Sequence, residues 1–292
     1  MMNPKSIDVA GIKTRYFEAG SRQHLVLFHG GNMGSGNLAE CAEDWDRNFE
    51  GLARHCHVIA VDKLGQGYTN NPLLNKDFTM AATVRHAYEF IKALGLDQVH
   101  IAGHSRGGYL VCRLALDHPE LIASCTIIDT NTLAPGSPRS AQVLGNPPIP
   151  RLSRESQRWI IEHYSYNPDH ITETWLDTMS EIASLPKSIE ANQKMVAQGL
   201  GKNQFMPSLT IDKSRTFAEL RDIGLKCPAL VMWGRNDPTA ILDQGEIIFD
   251  LIASKQRHSS MCVLNQAGHF CFREQPDAFN ARLINFINST GE

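Results

Sequence analysis

The segment from Gly103 to Gly107 reads Gly-His-Ser-Arg-Gly and places a serine between glycines. It directly follows an apolar run at 99–102 and directly precedes a run of helical character at 109–118. A serine on a sharp turn between a strand and a helix exposes its hydroxyl at the edge of a sheet, where it can act as a nucleophile. The turn is so tight that its flanking positions must be small. We therefore predict that Ser105 attacks a carbonyl carbon.

A serine hydroxyl needs a base, and the base needs an acid that orients it. His269 is the predicted base, because it is the one histidine of twelve that lies late in the chain in a loop after the last apolar strand. Two acids compete for the third role, Asp237 after the strand at 229–233 and Asp129 after the strand at 125–128. We favour Asp237, whose strand lies nearer to the histidine loop in chain order. Asp129 is the alternative, and either carboxylate could instead cap its own turn.

Two backbone N–H groups should stabilise the negative oxygen that forms when the serine attacks. One belongs to Arg106, the residue after the nucleophile, and the other is predicted at Gly31, in the His-Gly-Gly loop after the strand at 25–28. The Arg106 side chain brings a cation to the edge of a partly apolar site, and a buried unpaired guanidinium is costly. We predict that Asp129 pairs with it, unless the guanidinium reaches solvent.

The elements that must position these residues alternate between short apolar runs and helical stretches. Unbroken apolar strands separated by helices are typical of a parallel sheet covered on both faces. Polar and glycine residues follow each run, at the sheet edge where such folds bind ligands. The predicted fold class is α/β, with a mostly parallel, doubly wound sheet. The runs lie at 25–28, 58–61, 99–102, 125–128, 229–233 and 261–264.

This alternation is interrupted between about residues 135 and 214, where prolines cluster and three helix-like stretches follow at 154–164, 171–183 and 189–200. We predict that 1–134 and 215–292 form the core and that 135–214 form an inserted helical lid over the strand edge. Aromatic residues in the lid suit an apolar or aromatic group of modest size, although they could simply pack the lid onto the body. The residues assigned to substrate binding are Asn32, Trp159, Trp175 and Phe270.

The composition argues against several other classes of protein. The 292 residues carry 28 Lys and Arg against 31 Asp and Glu, a net charge of −3 that offers no field to attract nucleic acid or an anionic membrane. No apolar run is long enough to span a membrane, and the N-terminus lacks the apolar core of a signal peptide. The seven scattered cysteines contain no metal-binding pattern and indicate a reducing cytoplasm.

One rival motif is present at 34–39, which reads Gly-Ser-Gly-Asn-Leu-Ala and imitates a dinucleotide-binding fingerprint. The first glycine of that fingerprint should close a strand, whereas Gly34 comes five residues after His29. A dehydrogenase would also leave Ser105 and the His269 loop unexplained. Serine chemistry of the predicted kind requires neither a metal nor an organic cofactor.

Taken together, these residues resemble the α/β-hydrolase superfamily over nearly the whole chain. The loop at 29–31 is similar to its oxyanion loop, and the sequence Asp-Lys-Leu-Gly-Gln-Gly at 62–67 is similar to its D-x-x-G-x-G turn. Within the superfamily the chain most resembles the meta-cleavage product hydrolases, which split carbon–carbon bonds in ring-opened aromatic catabolites. The similar stretches lie at 14–20, 52–55, 90–94 and 268–270.

Two positions depart from that family. Its serine motif is usually G-N-S-M-G or G-N-S-L-G, and its lid usually supplies an arginine for the substrate carboxylate where Met179 stands here. The cations available for this role are Arg106 beside the serine and four lid residues, Arg151, Arg154, Arg158 and Lys194.

The resemblance implies a serine hydrolase that cleaves a carbon–carbon bond next to a ketone in a 2-hydroxy-6-oxo-dienoate-like acid. A carboxylesterase or lactonase with the same three residues is the first alternative, and a non-catalytic ligand-binding protein of the same fold is the second. The expected partner is a small-molecule substrate, and homo-oligomer formation is left open.

Overall fold

The computed structural model describes residues 3–135 and 139–290, so Pro138 of the proline cluster and the first two residues of the N-terminus lie outside the described residues. The described residues form one sheet of eight strands. These are β1 (Pro4–Val9), β2 (Ile12–Ala19), β3 (His24–Phe28), β4 (His57–Val61), β5 (Val99–His104), β6 (Ile122–Ile128), β7 (Ala229–Gly234) and β8 (Ser259–Leu264).

The strand order across the sheet is β1-β2-β4-β3-β5-β6-β7-β8. β1 pairs antiparallel with β2 and β2 antiparallel with β4, whereas every pair from β4 to β8 is parallel. Because Phe28 of β3 pairs with Gly103 of β5, the loops that follow these two strands leave the same edge of the sheet. The predicted fold class, a mostly parallel α/β sheet, is confirmed.

Helices cover both faces of the sheet, as the unbroken apolar strands require. One core contains Val26 of β3 with residues of the helices at Met80–Ala93, Arg106–Asp117, Met206–Asp222 and Leu242–Ala253. The other contains Leu27 of the same strand with residues of the helices at Asp46–Ala53 and Pro276–Ser289. The helices outside the insertion are α1 (Asp46–Ala53), α2 (Met80–Ala93), α3 (Arg106–Asp117), α9 (Leu242–Ala253), α10 (Cys271–Glu274) and α11 (Pro276–Ser289). Short 3-10 turns span Ala42–Trp45, Asn75–Asp77 and Pro168–His170.

The chain between β6 and β7 is helical. It contains α4 (Ser140–Val143), α5 (Arg154–Tyr164), α6 (Glu173–Ser184), α7 (Pro186–Asn192) and α8 (Met206–Asp222), with π-helical turns at Gln193–Ala197 and Gly201–Phe205. α5 has the bounds expected from the sequence. The expected helix at 189–200 begins earlier, because proline is favoured in a first turn, and passes into π-helical turns beside Gly199, whose φ is +75°. The predicted lid boundaries remain a prediction, and α8 continues past residue 214.

Asp62 ties together the loops that lead to the site. Its buried carboxylate accepts hydrogen bonds from the backbone N–H groups of Ala42 at 2.7 Å and Tyr68 at 2.8 Å, and from Nε of Arg15 at 2.5 Å. A Cβ at Gly67 would lie 2.2 Å from the carboxylate carbon, which explains the glycine in the D-x-x-G-x-G turn. Among the described residues, the helices are too short or too polar to cross a membrane.

Candidate active site

Ser105 lies on a strained turn between β5 and α3. Its φ of 53° is in the left-handed region that residues other than glycine rarely adopt. The two glycines make this turn sterically allowed, because a Cβ at Gly103 would lie 2.1 Å from the Gly107 carbonyl oxygen, and one at Gly107 would lie 2.5 Å from that of Phe28. The Ser105 N–H donates to the Ile128 carbonyl at 2.8 Å and ties the turn to β6. The local fold is the one that the serine motif predicts.

His269 and Asp237 are brought together from loops that follow β8 and β7. Nδ1 of His269 lies 2.5 Å from Oδ2 of Asp237, and both side chains are buried. The other oxygen of Asp237 accepts hydrogen bonds from the Thr239 N–H at 2.7 Å, the Thr239 hydroxyl at 2.9 Å and the Ala240 N–H at 2.8 Å. The carboxylate is thereby fixed in orientation, and Nε2 of His269 is the nitrogen left to exchange a proton.

Tyr164 at the end of α5 holds His269 from the side of the insertion. Its ring stacks on the imidazole with centroids 4.5 Å apart and planes inclined by 18°, and its carbonyl oxygen accepts the His269 N–H at 2.9 Å. Nε2 of His104 also donates to the His269 carbonyl, at 2.8 Å. Burial lowers the pKa of His104 well below the ordinary value, so this ring is a neutral support.

Asp129 is close to the candidate triad but is engaged elsewhere. Its Oδ1 accepts the Gly234 N–H at 2.7 Å, whereas its buried Oδ2 has no hydrogen-bond partner among the described residues. Burial and the neighbouring charge of Asp237 raise its pKa well above the ordinary value, which favours the neutral acid. The prediction that Asp129 pairs with Arg106 is wrong, because Asp129 turns back towards the backbone of β7.

The Arg106 guanidinium faces the site without a carboxylate partner among the described residues. It lies over the Phe205 ring at 5.2 Å, and its buried Nη1 has no hydrogen-bond partner in the described part of the chain. Burial lowers its pKa, although the nearby Tyr164 and Glu40 oppose that shift. Buried arginine nitrogens are rarely left unpaired, so the group is available for an anion.

The glycine loop after β3 is held in place by three side chains. The Gly30 carbonyl accepts hydrogen bonds from Nδ1 of His29 at 3.0 Å and Nε2 of Gln66 at 3.1 Å. The Gly31 carbonyl accepts one from Nζ of Lys63 at 2.9 Å. Because a trans peptide directs its N–H away from its carbonyl, anchoring the Gly30 carbonyl fixes the direction of the Gly31 N–H.

Arg106 occupies the first turn of α3, where backbone N–H groups have no acceptor within the helix. Gly31 and Arg106 both line the cavity that contains Ser105. This arrangement is compatible with the predicted oxyanion-binding role of their two amides.

A cavity of about 280 Å³ connects these groups. Asn32 and Phe270, two of the predicted substrate-binding residues, line it together with Ser105 and His269. The insertion contributes Tyr164, Met206, Leu209, Thr210 and Lys213 to the wall.

The other two residues assigned to substrate binding, both tryptophans, lie elsewhere. Trp175 is buried, donates its indole N–H to Asp44 at 2.9 Å, and carries the Arg273 guanidinium over its ring at 3.7 Å. Trp159 stacks on His163 at 3.6 Å. Both tryptophans pack against other residues of the protein, in agreement with the alternative that the lid aromatics serve packing.

Sequence reasoning missed three charged residues at the site, namely Glu40, Lys63 and Lys213. Lys63 lies inside the D-x-x-G-x-G turn, so that motif offered a signal for it. Lys213 lies in α8 and its Nζ donates to the Ala134 carbonyl at 3.2 Å. Glu40 and Lys213 had no sequence signal, because an isolated charged residue in a loop or helix usually faces solvent.

A family model described as the alpha/beta hydrolase fold matches residues 23–276, and the chain belongs to this family. Among curated relatives, the 2-hydroxy-6-oxo-6-(2'-aminophenyl)hexa-2,4-dienoic acid hydrolase of Metapseudomonas resinovorans is 25% identical over 97% of this chain and 90% of its own length. The 2-hydroxy-6-oxo-6-phenylhexa-2,4-dienoate hydrolase of Comamonas testosteroni is 24% identical, covering 96% and 93%. The resemblance to meta-cleavage product hydrolases is therefore confirmed at the level of the family.

Solved structures agree on the fold. A meta-cleavage product hydrolase from Pseudomonas fluorescens superposes with a TM-score of 0.78 at 22% identity, covering 99% of this chain and 98% of that one. The 2-hydroxy-6-oxo-6-phenylhexa-2,4-dienoate hydrolase of a Rhodococcus strain gives a TM-score of 0.77 at 22% identity, with 99% of each chain covered. These relatives and neighbours are hydrolases, as the sequence predicts for this chain.

Proposed function

We propose that this protein is a serine hydrolase that cleaves the carbon–carbon bond next to a ketone in a 2-hydroxy-6-oxo-dienoate-like acid. Ser105 is the nucleophile, His269 the base and Asp237 the residue that orients the base. The observation that carries the proposal is the common cavity, which Ser105 and His269 line together with Arg106, whose Nη1 has no hydrogen-bond partner in the described part of the chain. The names of the relatives support the substrate class.

Arg106 is the cation that we assign to the substrate carboxylate. The four lid cations considered with it have other partners: Arg151 donates to Asn37, Arg154 and Arg158 form ion pairs with Glu173, and Lys194 forms one with Glu190. Arg106 instead lines the cavity and keeps Nη1 free of hydrogen bonds within the described residues. A guanidinium can bind a carboxylate through two parallel hydrogen bonds, which also fixes the orientation of the substrate.

The reaction follows from the positions of these groups. The substrate first shifts from the dienol to the ketone form, in which the leaving carbon has gained a proton. Ser105 then attacks the ketone carbon, its proton passes to His269, and the Gly31 and Arg106 amides bind the oxyanion. The carbon–carbon bond breaks, its electron pair leaves on a carbon conjugated with the 2-keto group, and His269 returns the proton. Water hydrolyses the acyl-enzyme and releases a carboxylic acid.

The cellular setting is part of the proposal. We place the protein in the cytoplasm, in support of which all seven cysteines, each within the described residues, are free. The proposed partner is a small-molecule substrate, with no role for nucleic acid or membrane. The formation of a homo-oligomer is left open.

Parallel assays on two substrate types test the proposed bond specificity. The purified protein receives a yellow 2-hydroxy-6-oxo-dienoate in one assay and a p-nitrophenyl ester in the other. We expect the dienoate colour to bleach with the higher kcat/KM, and Ser105→Ala to abolish both reactions. If the dienoate persists at high enzyme concentration while the ester is hydrolysed, the carbon–carbon assignment is wrong and the esterase alternative applies.

A further inference from the structure

Glu40 is a buried carboxylate in the wall of the cavity, and the proposed reaction does not use it. Glu40 is only 7% exposed to solvent. It lines the cavity together with Ser105 and His269. The carboxylate packs on the glycine loop, because a Cβ at Gly30 would lie 2.2 Å from Oε1 and a Cβ at Gly31 would lie 2.2 Å from Oε2. Glu40 is therefore next to the amide that we assign to the oxyanion.

Three cationic or ionisable side chains surround this carboxylate. Burial raises the pKa of Glu40, and the charges of Lys63, His269 and Arg106 oppose that rise. Lys63 is buried as well and is hydrogen-bonded to the Gly31 carbonyl, on the same loop that Glu40 contacts. Burial outweighs these three charges, so the pKa of Glu40 stays above its ordinary value, and the neighbouring groups offset only part of the cost of a negative charge beside the oxyanion site.

Glu40 nevertheless lacks a donor of its own. Within the described residues its carboxyl oxygens form neither an ion pair nor a hydrogen bond, yet neither oxygen is among the polar atoms shut off from solvent, so both are open to a ligand in the cavity that Glu40 lines. Arg106 lines the same cavity, and its Nη1 has no hydrogen-bond partner within the described residues. Arg106 and Glu40 each favour the charged form of the other, although the two side chains form no ion pair. A ligand that lies between them can satisfy both, with an anionic group towards Arg106 and a hydrogen-bond donor towards Glu40.

We propose that Glu40 is a specificity-determining residue that accepts a hydrogen bond from a hydroxyl or N–H group of the substrate next to the reacting carbonyl. The inference rests on the proposed function for the serine reaction and for the role of Arg106. This role of Glu40 restricts the substrate to acids that carry a hydrogen-bond donor two or three bonded atoms from the reacting carbonyl carbon. An aryl ketone with an ortho hydroxyl or amino group is an example. The position of Glu40 against Gly30 and Gly31 sets this short distance.

A comparison of matched substrates and variants tests the assignment. Two dienoates that differ only in a 6-phenyl or a 6-(2-hydroxyphenyl) group are assayed with the wild type, Glu40→Gln and Glu40→Ala. We expect the wild type to prefer the hydroxyphenyl substrate and the preference, as a ratio of kcat/KM values, to fall about 10-fold or more in both variants, since hydrogen bonds to charged groups are the stronger ones. Dividing the wild-type ratio by that of each variant cancels the intrinsic difference in reactivity between the substrates.

Glu43→Gln is the matched control, because Glu43 pairs with Arg15 outside the cavity and its loss should leave the ratio unchanged. Thermal unfolding checks that each variant folds. In a further assay of the wild type alone, a 2-methoxyphenyl substrate replaces the hydroxyphenyl substrate and so lacks the hydrogen-bond donor. A preference that stays within 2-fold across wild type and Glu40 variants overturns the proposal, as does a wild type that treats hydroxyl and methoxyl alike.

Two esters distinguish a failure of this proposal from a failure of the carbon–carbon assignment. The ratio of kcat/KM values is measured for p-nitrophenyl 2-hydroxybenzoate and p-nitrophenyl benzoate. If the esters alone react and show the Glu40-dependent preference, the proposed bond type fails while the role of Glu40 stands. If no substrate reacts, the dissociation constants of 2-hydroxyphenyl and phenyl keto acids are compared in Ser105→Ala. Equal binding there, or no binding, also overturns the proposal.

Discussion

Tyr164 contacts His269 twice, through a stacked ring 4.5 Å away and through a backbone carbonyl that accepts the His269 N–H at 2.9 Å. Tyr164 belongs to the helical insertion, whereas His269 follows the last strand of the sheet. The insertion therefore does more than cover the cavity, because it also fixes the position of the imidazole.

Replacing Tyr164 separates these two contacts. Tyr164→Phe retains the ring and the carbonyl, so we expect kcat to stay within about 3-fold of the wild type. Tyr164→Ala removes the stacked ring and should lower kcat about 10-fold or more, because a misplaced catalytic group slows the reaction strongly. Steady-state kinetics measure both variants, and an equal loss in the two would show that the phenol hydroxyl matters rather than the stacking.

The two buried aspartates should differ sharply in their effect on turnover. Asp237→Asn should lower kcat about 10³- to 10⁴-fold, because an amide in place of the acceptor favours the wrong tautomer of His269. Asp129→Asn keeps an oxygen that can accept the Gly234 N–H, so we expect a loss below about 10-fold. The kcat values of the two variants are compared after each is corrected for the fraction of folded protein. A larger loss in Asp129→Asn than in Asp237→Asn would contradict the assignment of the acid.

Lys63 should act as a positioning residue of the glycine loop. Lys63→Met removes the hydrogen bond to the Gly31 carbonyl, and we expect kcat to fall about 10- to 100-fold with KM nearly unchanged, as for a weakened oxyanion site. Burial lowers the pKa of Lys63 to about 7, which means that its charge is disfavoured in the fold. The lost hydrogen bond and the relieved burial of the amine act in opposite directions, so urea unfolding should show a change of less than about 1.5 kcal/mol in Lys63→Met. A rise in KM alone would point to substrate binding instead.

Two buried histidines should make the fold sensitive to acid. Burial lowers the pKa of His86 to about 4, and burial followed by the charge of His24 lowers that of His100 to about 4. Between pH 6.5 and 4 the unfolded chain therefore binds protons that the folded chain does not. The stabilisation is fully present above pH 6.5 and is lost as the pH falls towards 4, by about 3 kcal/mol for each histidine.

Urea unfolding at a series of pH values measures this loss. His86→Gln removes one titrating group while an amide can still bond to Thr14, and it should flatten the pH dependence between 6.5 and 4 by about 3 kcal/mol. His55→Gln is the control, because His55 is exposed. Parallel curves for wild type and His86→Gln would show that His86 does not titrate differently on unfolding.

The local sequence predicts the parts of the molecule that local rules determine. Ser105 and His269 could be chosen because glycines and apolar runs mark the ends of strands, and chain order ranked Asp237 before Asp129. The bounds of α5 were recognisable because Ser153 caps the helix through its side chain, a common start signal.

The missed features depend on contacts between residues far apart in the chain. Trp175 has the composition of a pocket residue, yet its indole N–H bonds to Asp44, 131 positions away. Glu40 enters the site only because the loop after β3 folds back onto Gly30 and Gly31. The direction in which Asp129 turns is set by its backbone conformation, with φ at 41°, and by the N–H of Gly234. No periodicity or motif encodes these pairings.

The central claim is that Ser105 is an activated nucleophile held by His269 and Asp237. Treatment with a fluorophosphonate, followed by intact mass spectrometry and peptide mapping, tests it most directly. We predict one adduct per chain, located on Ser105, absent in Ser105→Ala and formed at least about 100-fold more slowly in Asp237→Asn. An unlabelled wild-type protein, or an adduct on another residue, would contradict the claim.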